Sequence, residues 1–588
     1  MGVSIVKNKW QSMTSFSVKN DFKSIIGILC TGFITHFAMI FVRGAWWDDW
    51  KFYVCSYSSM RDHYFTAGRI IAYYMLGLIF SLPLWVLHIL TIIIYAIVAV
   101  VFYYILIEII HDKDAAFIMA LLFNMIPVND GRILKCVFPY TLSLLLFSLA
   151  SLVLLRMEKI SNLTPKKVIM RILSLLMFFI SFSTNSFLVF YCIPIGIILL
   201  KKTIFLQKQH SLTVPKLFSE FIKLSDFYVL PFVYFAGKKI FAVPVGLYAD
   251  YNTVNSSNSL NAVIKLPWAV IYDIGMVIRN YLNVLRDHPW SAVPALIAAI
   301  CVLAAKKNVS SGSPETSLRS SVLGMLAGII TVAAGIFPYV VIRHAAIETT
   351  GFGGRDAILM SFGISVIIYY AMEAIRLPIK YKYAIVSCLF VFSFIHFGNW
   401  YIRYQKGFYE QQALIIQWEE SGDVAGSGTY LYINQSLDDI KGRDTHALQA
   451  YSRQSFWTLG AMAKYAYNNT SRVLLGGTDE ISYIVNPNEL APYIKDPTYC
   501  VDRYTNNDNT INGVIFVDYS LTDYNCIKLR FEELTNNPRF RENLMDIMNY
   551  SYIGIEPSVS LKILDLYRDG NLNDKTLENS LSDEIRLN

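Results

Sequence analysis

Residues 25–52 read IIGILCTGFITHFAMIFVRGAWWDDWKF, an apolar run followed at once by three tryptophans set around two adjacent aspartates. The run, 25–42, exceeds the roughly 7–15-residue apolar stretch of a cleavable signal peptide and reads as a retained membrane-spanning helix. Lys7, Lys9, Lys19 and Lys23 precede it, which starts the helix in the cytosol and delivers Asp48 and Asp49 to the outside. An acidic pair there can take a proton from a hydroxyl, hold a cation or grip a sugar. The indoles of Trp46, Trp47 and Trp50 offer flat apolar faces to a pyranose ring.

Working outward, hydrophobic residues make up 54% of the 588 and charged residues 16%, against about 25% charge in soluble globular chains. The fold class expected is an α-helical polytopic membrane protein. Spans are expected at 25–42, 83–110, 115–128, 137–155, 168–184, 187–200, 227–241, 290–305, 322–342, 357–374 and 383–400. That makes about 11 transmembrane helices with the N-terminus inside. Two further apolar stretches read as interfacial helices: 66–81, which is short and opens at Gly68-Arg69, and 260–285, which carries Lys265, Asp273 and Arg279. With this count nearly every Lys-rich loop falls on the cytosolic side; making 70–110 two spans would turn those loops outward. Thr164-Pro165 has the form of an N-cap followed by proline at the first helical position. The formal charge of +7 resides mostly in short loops, where it sets orientation and argues against a nucleic-acid partner.

Beyond residue 400 the composition turns to Asn, Asp, Tyr and Thr. Two domains are expected: a membrane part, 1–400, and a mixed α/β extracytoplasmic domain, 401–588, long enough to bury its own core. The eight cysteines show no metal spacing; Cys500 and Cys526 are the two in the polar domain, and a disulfide between them is left open. Sequons stand at Asn434, Asn468 and Asn469.

Arg69, Arg343, Arg355, Lys238 and Lys239 are candidates to bind a donor phosphate, because a leaving phosphate gains charge as its bond breaks and an arginine fork donates two parallel hydrogen bonds. Arg343 and Arg355 flank an outer loop containing Gly351, Gly353 and Gly354. Snorkelling at the interface is the alternative for these cations. For Asp48 and Asp49 the alternative is a capped, solvated loop. Which aspartate would be a base stays open, as does a divalent cation, Mg or Mn, held by the other. His36, alone in its span, reads as a hydrogen-bonded packing residue.

Four short motifs carry a family resemblance: Trp47-Asp48-Asp49-Trp50 after the first span, Gly68-Arg69 opening an interfacial helix, Ser183-Thr184-Asn185 with Leu188-Val189-Phe190-Tyr191, and Gly354-Arg355-Asp356 before a late span. In these the chain resembles the GT-C superfamily of polytopic glycosyltransferases, and among them bacterial serotype-converting O-antigen glucosyltransferases. The resemblance implies a hexosyltransferase of the bacterial inner membrane with a periplasmic active site. It would move a sugar, glucose first, from undecaprenyl phosphate to a lipid-linked O-antigen of lipopolysaccharide or a related surface glycan. Asp48 or Asp49 would be the base; a small flippase and a donor-synthesising enzyme would be partners beside membrane lipid. The tail stretch Tyr451-Ser452-Arg453-Gln454-Ser455-Phe456-Trp457 would help grip the acceptor. The rival readings are an O-antigen polymerase and a transporter or flippase for a lipid-linked sugar. The first would keep its working residues in large central loops, the second at mid-membrane.

Overall fold

The computed structural model describes residues 18–421 apart from 161, 163, 209–212, 246–255, 306–316 and 344–346. Beyond 421 it describes 428–433, 461–462, 465–466, 472–475, 513–516, 520–521, 526–546 and 548–549. The chain is mostly helical, and among the described residues seven helices are long and apolar enough to cross a membrane. The principal helices are α1 (Val18–His36), α2 (Leu84–Ile110), α3 (Lys113–Met125), α4 (Phe138–Met157), α5 (Pro165–Ser181), α6 (Cys192–Lys208), α7 (Ser225–Phe241), α8 (Ser256–Asp287), α9 (Ala292–Ala305), α10 (Leu318–Arg343), α11 (Met360–Ala374) and α12 (Ile379–Ser421). The stretch 66–81 holds only a short helix, Ile70–Gly77, about 12 Å long.

The helices start where local chemistry dictates. Thr164 caps α5 by accepting from the Lys167 N–H at 3.2 Å, with Pro165 behind it. Asp112 caps α3 through the Asp114 and Ala115 N–H groups. The core between them is aromatic: Phe362 of α11 packs its ring against Phe102 of α2 at 5.0 Å and Phe123 of α3 at 4.8 Å. Large apolar side chains such as Phe232, Ile240, Ile271 and Ile330 stay exposed on the flanks, as a lipid-facing surface requires.

Polar contacts gather at the two ends of the bundle. At one, Lys113 meets Asp21 at 2.5 Å, Arg171 meets Asp226 at 2.5 Å, Lys202 reaches Glu158 and Glu220 at 2.6 and 2.9 Å, and Lys382 pairs with Glu373. At the other lie the loops after α1, after α3, before α6, after α7 and between α10 and α11. The helix α8 passes the length and apolarity test for a span, but its partners run along this second end. Asp273 turns inward to the Ile347 backbone, Asn280 donates to the Pro127 carbonyl at 2.9 Å, and Tyr281 donates to the Met125 carbonyl at 3.0 Å. Beyond the helix, His288 meets Asn399 at 2.7 Å. Asp273 to His288 covers about 22 Å of helix, and the Asp273 carboxyl on it is buried, away from the lipid-facing flank.

The helix α12 runs unbroken through the composition change at residue 400, with Tyr401, Tyr404, Tyr409 and Trp418 all buried. Against its far half pack α13 (Cys526–Leu534) and α14 (Phe540–Asp546), Leu529 and Leu544 meeting Tyr409, Ala413 and Ile416. Three strands, β1 (Gly428–Ile433), β2 (Arg472–Leu475) and β3 (Gly513–Phe516), pair in parallel in the order β2-β1-β3, with Tyr430 opposite both Leu474 and Gly513. Cys500, the three sequons and 451–457 lie outside the described residues.

The pair α10 and α11 packs through glycine. A Cβ on Gly328 would meet Ile367 Cγ1 at 2.7 Å and the Gly363 carbonyl at 2.8 Å, and one on Gly363 would meet the Gly328 carbonyl at 2.5 Å. Gly324 lies one turn earlier against Tyr370, so the Gly-x-x-x-Gly spacing lets the backbones approach as membrane helix pairs do. Gly328→Leu is expected to cost about 1–3 kcal/mol through overpacking, read as a lowered melting temperature of the purified protein. An unchanged melting temperature would mean the two helices do not meet here.

Candidate functional site

The acidic motif is held in a strained turn. Gly44 sits at φ +115, where a Cβ would strike Phe408 and Trp46 at 2.9 Å, and Trp47 has φ +48, a left-handed conformation unfavourable for a bulky side chain. The surroundings fix it: Trp46 is buried with its ring 4.8 Å from Tyr404, and Trp47 stacks on Phe352 at 4.7 Å. Trp47–Trp50 forms a 3₁₀ turn. Successive residues of such a turn point about 120° apart, so Asp48 and Asp49 cannot face the same atom.

Asp49 turns inward. It is buried, and its Oδ2 accepts the Lys135 N–H at 2.8 Å while Oδ1 accepts the Cys136 N–H at 2.7 Å. Burial pushes its pKa up to about 6, against the pull of those two donors. Lys135 in turn donates its ammonium to the Phe80 carbonyl at 2.6 Å. Asp49 is therefore the clamp between the first and second loops of this end.

Asp48 is half-buried; its charge acts on Arg69 and, together with that of Asp49, on Cys136. Arg69 is exposed. It lies within electrostatic reach of Arg355 on one side and Lys238 on the other, and of the Tyr64 and Tyr140 hydroxyls. Lys238 donates to Asn185 Oδ1 at 2.9 Å. Arg355 donates to the Phe352 carbonyl at 2.8 Å, lies 3.5 Å above the Phe352 ring and stands 3.8 Å from Asp356. Phe352 thus contacts both Trp47 and Arg355. Gly68, at φ +64, admits the chain after α7: a Cβ there would meet the Ala242 carbonyl at 2.4 Å, and Val245 N–H bonds the Thr66 carbonyl at 2.9 Å.

Of the candidates read from sequence, the structure brings together Asp48, Arg69, Arg355, Lys238 and Trp47. Trp46 and Trp50 are buried. Lys239 is exposed and folds its ammonium over the Phe235 ring at 4.9 Å. Arg343 closes α10, and its side chain lies outside the described residues. Tyr140 and Phe352 carry no sequence signal: the first opens an apolar helix, the second sits among glycines. For a divalent cation the donor set does not fit. Both Asp49 oxygens are taken by backbone, Asp48 stands among cations, and no group of three His, Cys, Asp or Glu converges among the described residues.

Behind this cluster lies a buried polar layer. Asp130 accepts the Gly351 N–H on both oxygens, at 2.8 and 2.9 Å, fastening the loop that carries Phe352 and Arg355. Arg132 donates to the Asn129 and Val128 carbonyls at 2.6 Å and to His36 Nε2 at 3.0 Å. A guanidinium has no acceptor, so His36 carries its proton on Nδ1 and donates it to the Tyr401 hydroxyl at 3.0 Å.

Burial raises the Asp130 pKa to about 7, against the Gly351 N–H. A carboxyl whose pKa is lifted on folding contributes stability that is fully present below its unfolded value. That stability is lost as pH rises through the folded one, about 6 for Asp49 and about 7 for Asp130. Wild-type protein is therefore expected to gain melting temperature relative to Asp130→Asn as pH falls from about 8 to about 5. A wild-type-to-variant difference that stays flat over this range would show that Asp130 does not titrate there.

Set beside known proteins, the chain matches no family model and no curated protein.

Proposed function

We propose that the protein is a glycosyltransferase that moves a sugar, glucose first, from a polyprenyl-phosphate donor to a lipid-linked O-antigen or other surface glycan. The observation that carries the reading is the cluster in which Asp48 and Arg69 act on each other, with Arg355 and Lys238 within reach of Arg69, at the end of the bundle opposite the Lys-rich loops. Asp48 is the general base: it takes the proton from an acceptor hydroxyl as that oxygen bonds to the anomeric carbon, while the bond from that carbon to phosphate breaks. The leaving phosphate then carries an added charge, which Arg69, Arg355 and Lys238 offset. Asp49 does no chemistry; it holds the turn that aims Asp48. No step is routed through a metal.

The two-ended sorting of polar contacts supports the membrane arrangement. Taking α8 as lying along the outer interface, the crossings are α1 to α7 and α9 to α12, eleven in all. The end bearing Lys113, Lys202 and Lys382 then lies in the cytosol of a bacterial inner membrane and the cluster lies on the periplasmic side. The parallel strands with α13 and α14 belong, in this reading, to an extracytoplasmic α/β domain.

The test is transfer of label from undecaprenyl-phosphate glucose to lipid-linked O-antigen in membranes containing each variant. Asp48→Asn is expected to lower the rate about 10²–10⁴-fold, Asp49→Asn mainly to lower melting temperature, and a chelator to change nothing. Full transfer by Asp48→Asn would sink the assignment.

A further inference from the structure

The acidic turn has a second wall, on the Asp49 side. Trp50 is buried, and over it stand Tyr53 at 5.7 Å and Tyr465 at 6.0 Å, their own rings 6.4 Å apart at 88°. Trp50 acts as the floor, and the two tyrosines form an open right-angled corner. Tyr53 is 48% exposed and Tyr465 52% exposed. Exposed aromatic rings elsewhere, such as Trp85 and Phe232, sit on helices of the bundle's apolar flank, where lipid accounts for them. That account fails for Tyr465, which comes from the segment beyond α12, at the end where Asp49 and Arg43 are the neighbours of Tyr53.

Further along the chain, α13 and α14 are fastened to the bundle. Arg43 bonds Glu533 at 2.8 Å, its N–H bonds Gln405 Oε1 at 2.9 Å, and α13 and α14 close on α12 through Leu529 and Leu544. Half-exposed tyrosines with a rigid indole beneath them are suited to a pyranose. The rings take the sugar's C–H face, and the phenol hydroxyls take its hydroxyls.

We infer that Tyr53 and Tyr465, supported by Trp50, form a stacking subsite for one pyranose unit of the acceptor glycan, so that the C-terminal region completes the site. The ligand class rests on the glycosyl-transfer reading; the test does not need turnover. Purified full-length protein is titrated with linear hexose trisaccharides and binding followed by saturation-transfer NMR. Wild-type protein is expected to show saturable binding, weakened about tenfold in Tyr465→Ala and in Tyr53→Ala, kept in Tyr465→Trp, and unchanged in Phe232→Ala on the apolar flank. Binding by Tyr465→Ala and Tyr53→Ala at wild-type strength, or no saturable binding of any trisaccharide by wild-type protein, would overturn the subsite. Failure of the transferase reading is separate: it appears as undiminished transfer by Asp48→Asn, whatever the sugar titration shows.

Discussion

One carboxylate, that of Asp49, holds together the parts on which the cluster depends. Its two oxygens accept consecutive backbone N–H groups from a loop 86 residues further along the chain. Those donors open the 3₁₀ turn that leads into α4 and so fix where Tyr140 begins. On the other side the same clamp sets the Trp47–Trp50 turn, and with it the direction of Asp48. A buried carboxylate with no donors would be costly; two charge-assisted hydrogen bonds offset that cost and leave only a moderate upward pKa shift.

The adjacent pair illustrates how little sequence proximity says about shared chemistry. On a 3₁₀ turn two neighbouring carboxylates leave the backbone about 120° apart. Asp49 is taken by the backbone and becomes structure, while the Asp48 charge acts on Arg69. Asp130 repeats the first role one loop away, where it anchors Gly351 and so the Phe352–Arg355 segment. The cluster is thus set by two buried acids, each binding a loop at its backbone, where side-chain substitution cannot disturb the donor.

Much of the helical plan was legible because a membrane forces the signal: long apolar runs, Lys-rich turns between them, and the Thr164-Pro165 start of α5 all depend on nearby residues. What depends on distant partners was not legible. Trp46, Trp47 and Trp50 look alike in sequence, yet Tyr404 covers the first, Phe352 stacks on the second and Tyr53 and Tyr465 stand over the third. Nothing near Gly324 and Gly328 announces that Tyr370 and Gly363 will press against them. The stretch 260–285 is long and apolar enough to cross a membrane, and its charges are what gave the expectation of an interfacial helix. Lys265, Asp273 and Arg279 cannot all face lipid, and the structure buries Asp273 while leaving the other two exposed.

The buried group formed by His36, Arg132 and Tyr401 bears on the choice between an enzyme and a carrier. A carrier moves its ionisable groups between two exposures, which demands partners that can be exchanged. Arg132 is instead bonded to two backbone carbonyls of its own loop and lies over the Tyr95 and Phe397 rings at 4.3 and 5.1 Å. Its remaining donor fixes the His36 tautomer, and His36 fixes Tyr401 on α12. Releasing this arginine would strip several hydrogen bonds and two cation–π contacts at once. Such a group is a rivet joining α1, the Asn129–Arg132 loop and α12, and under the proposed transferase reading it holds fixed the floor beneath the Arg69 and Arg355 cations.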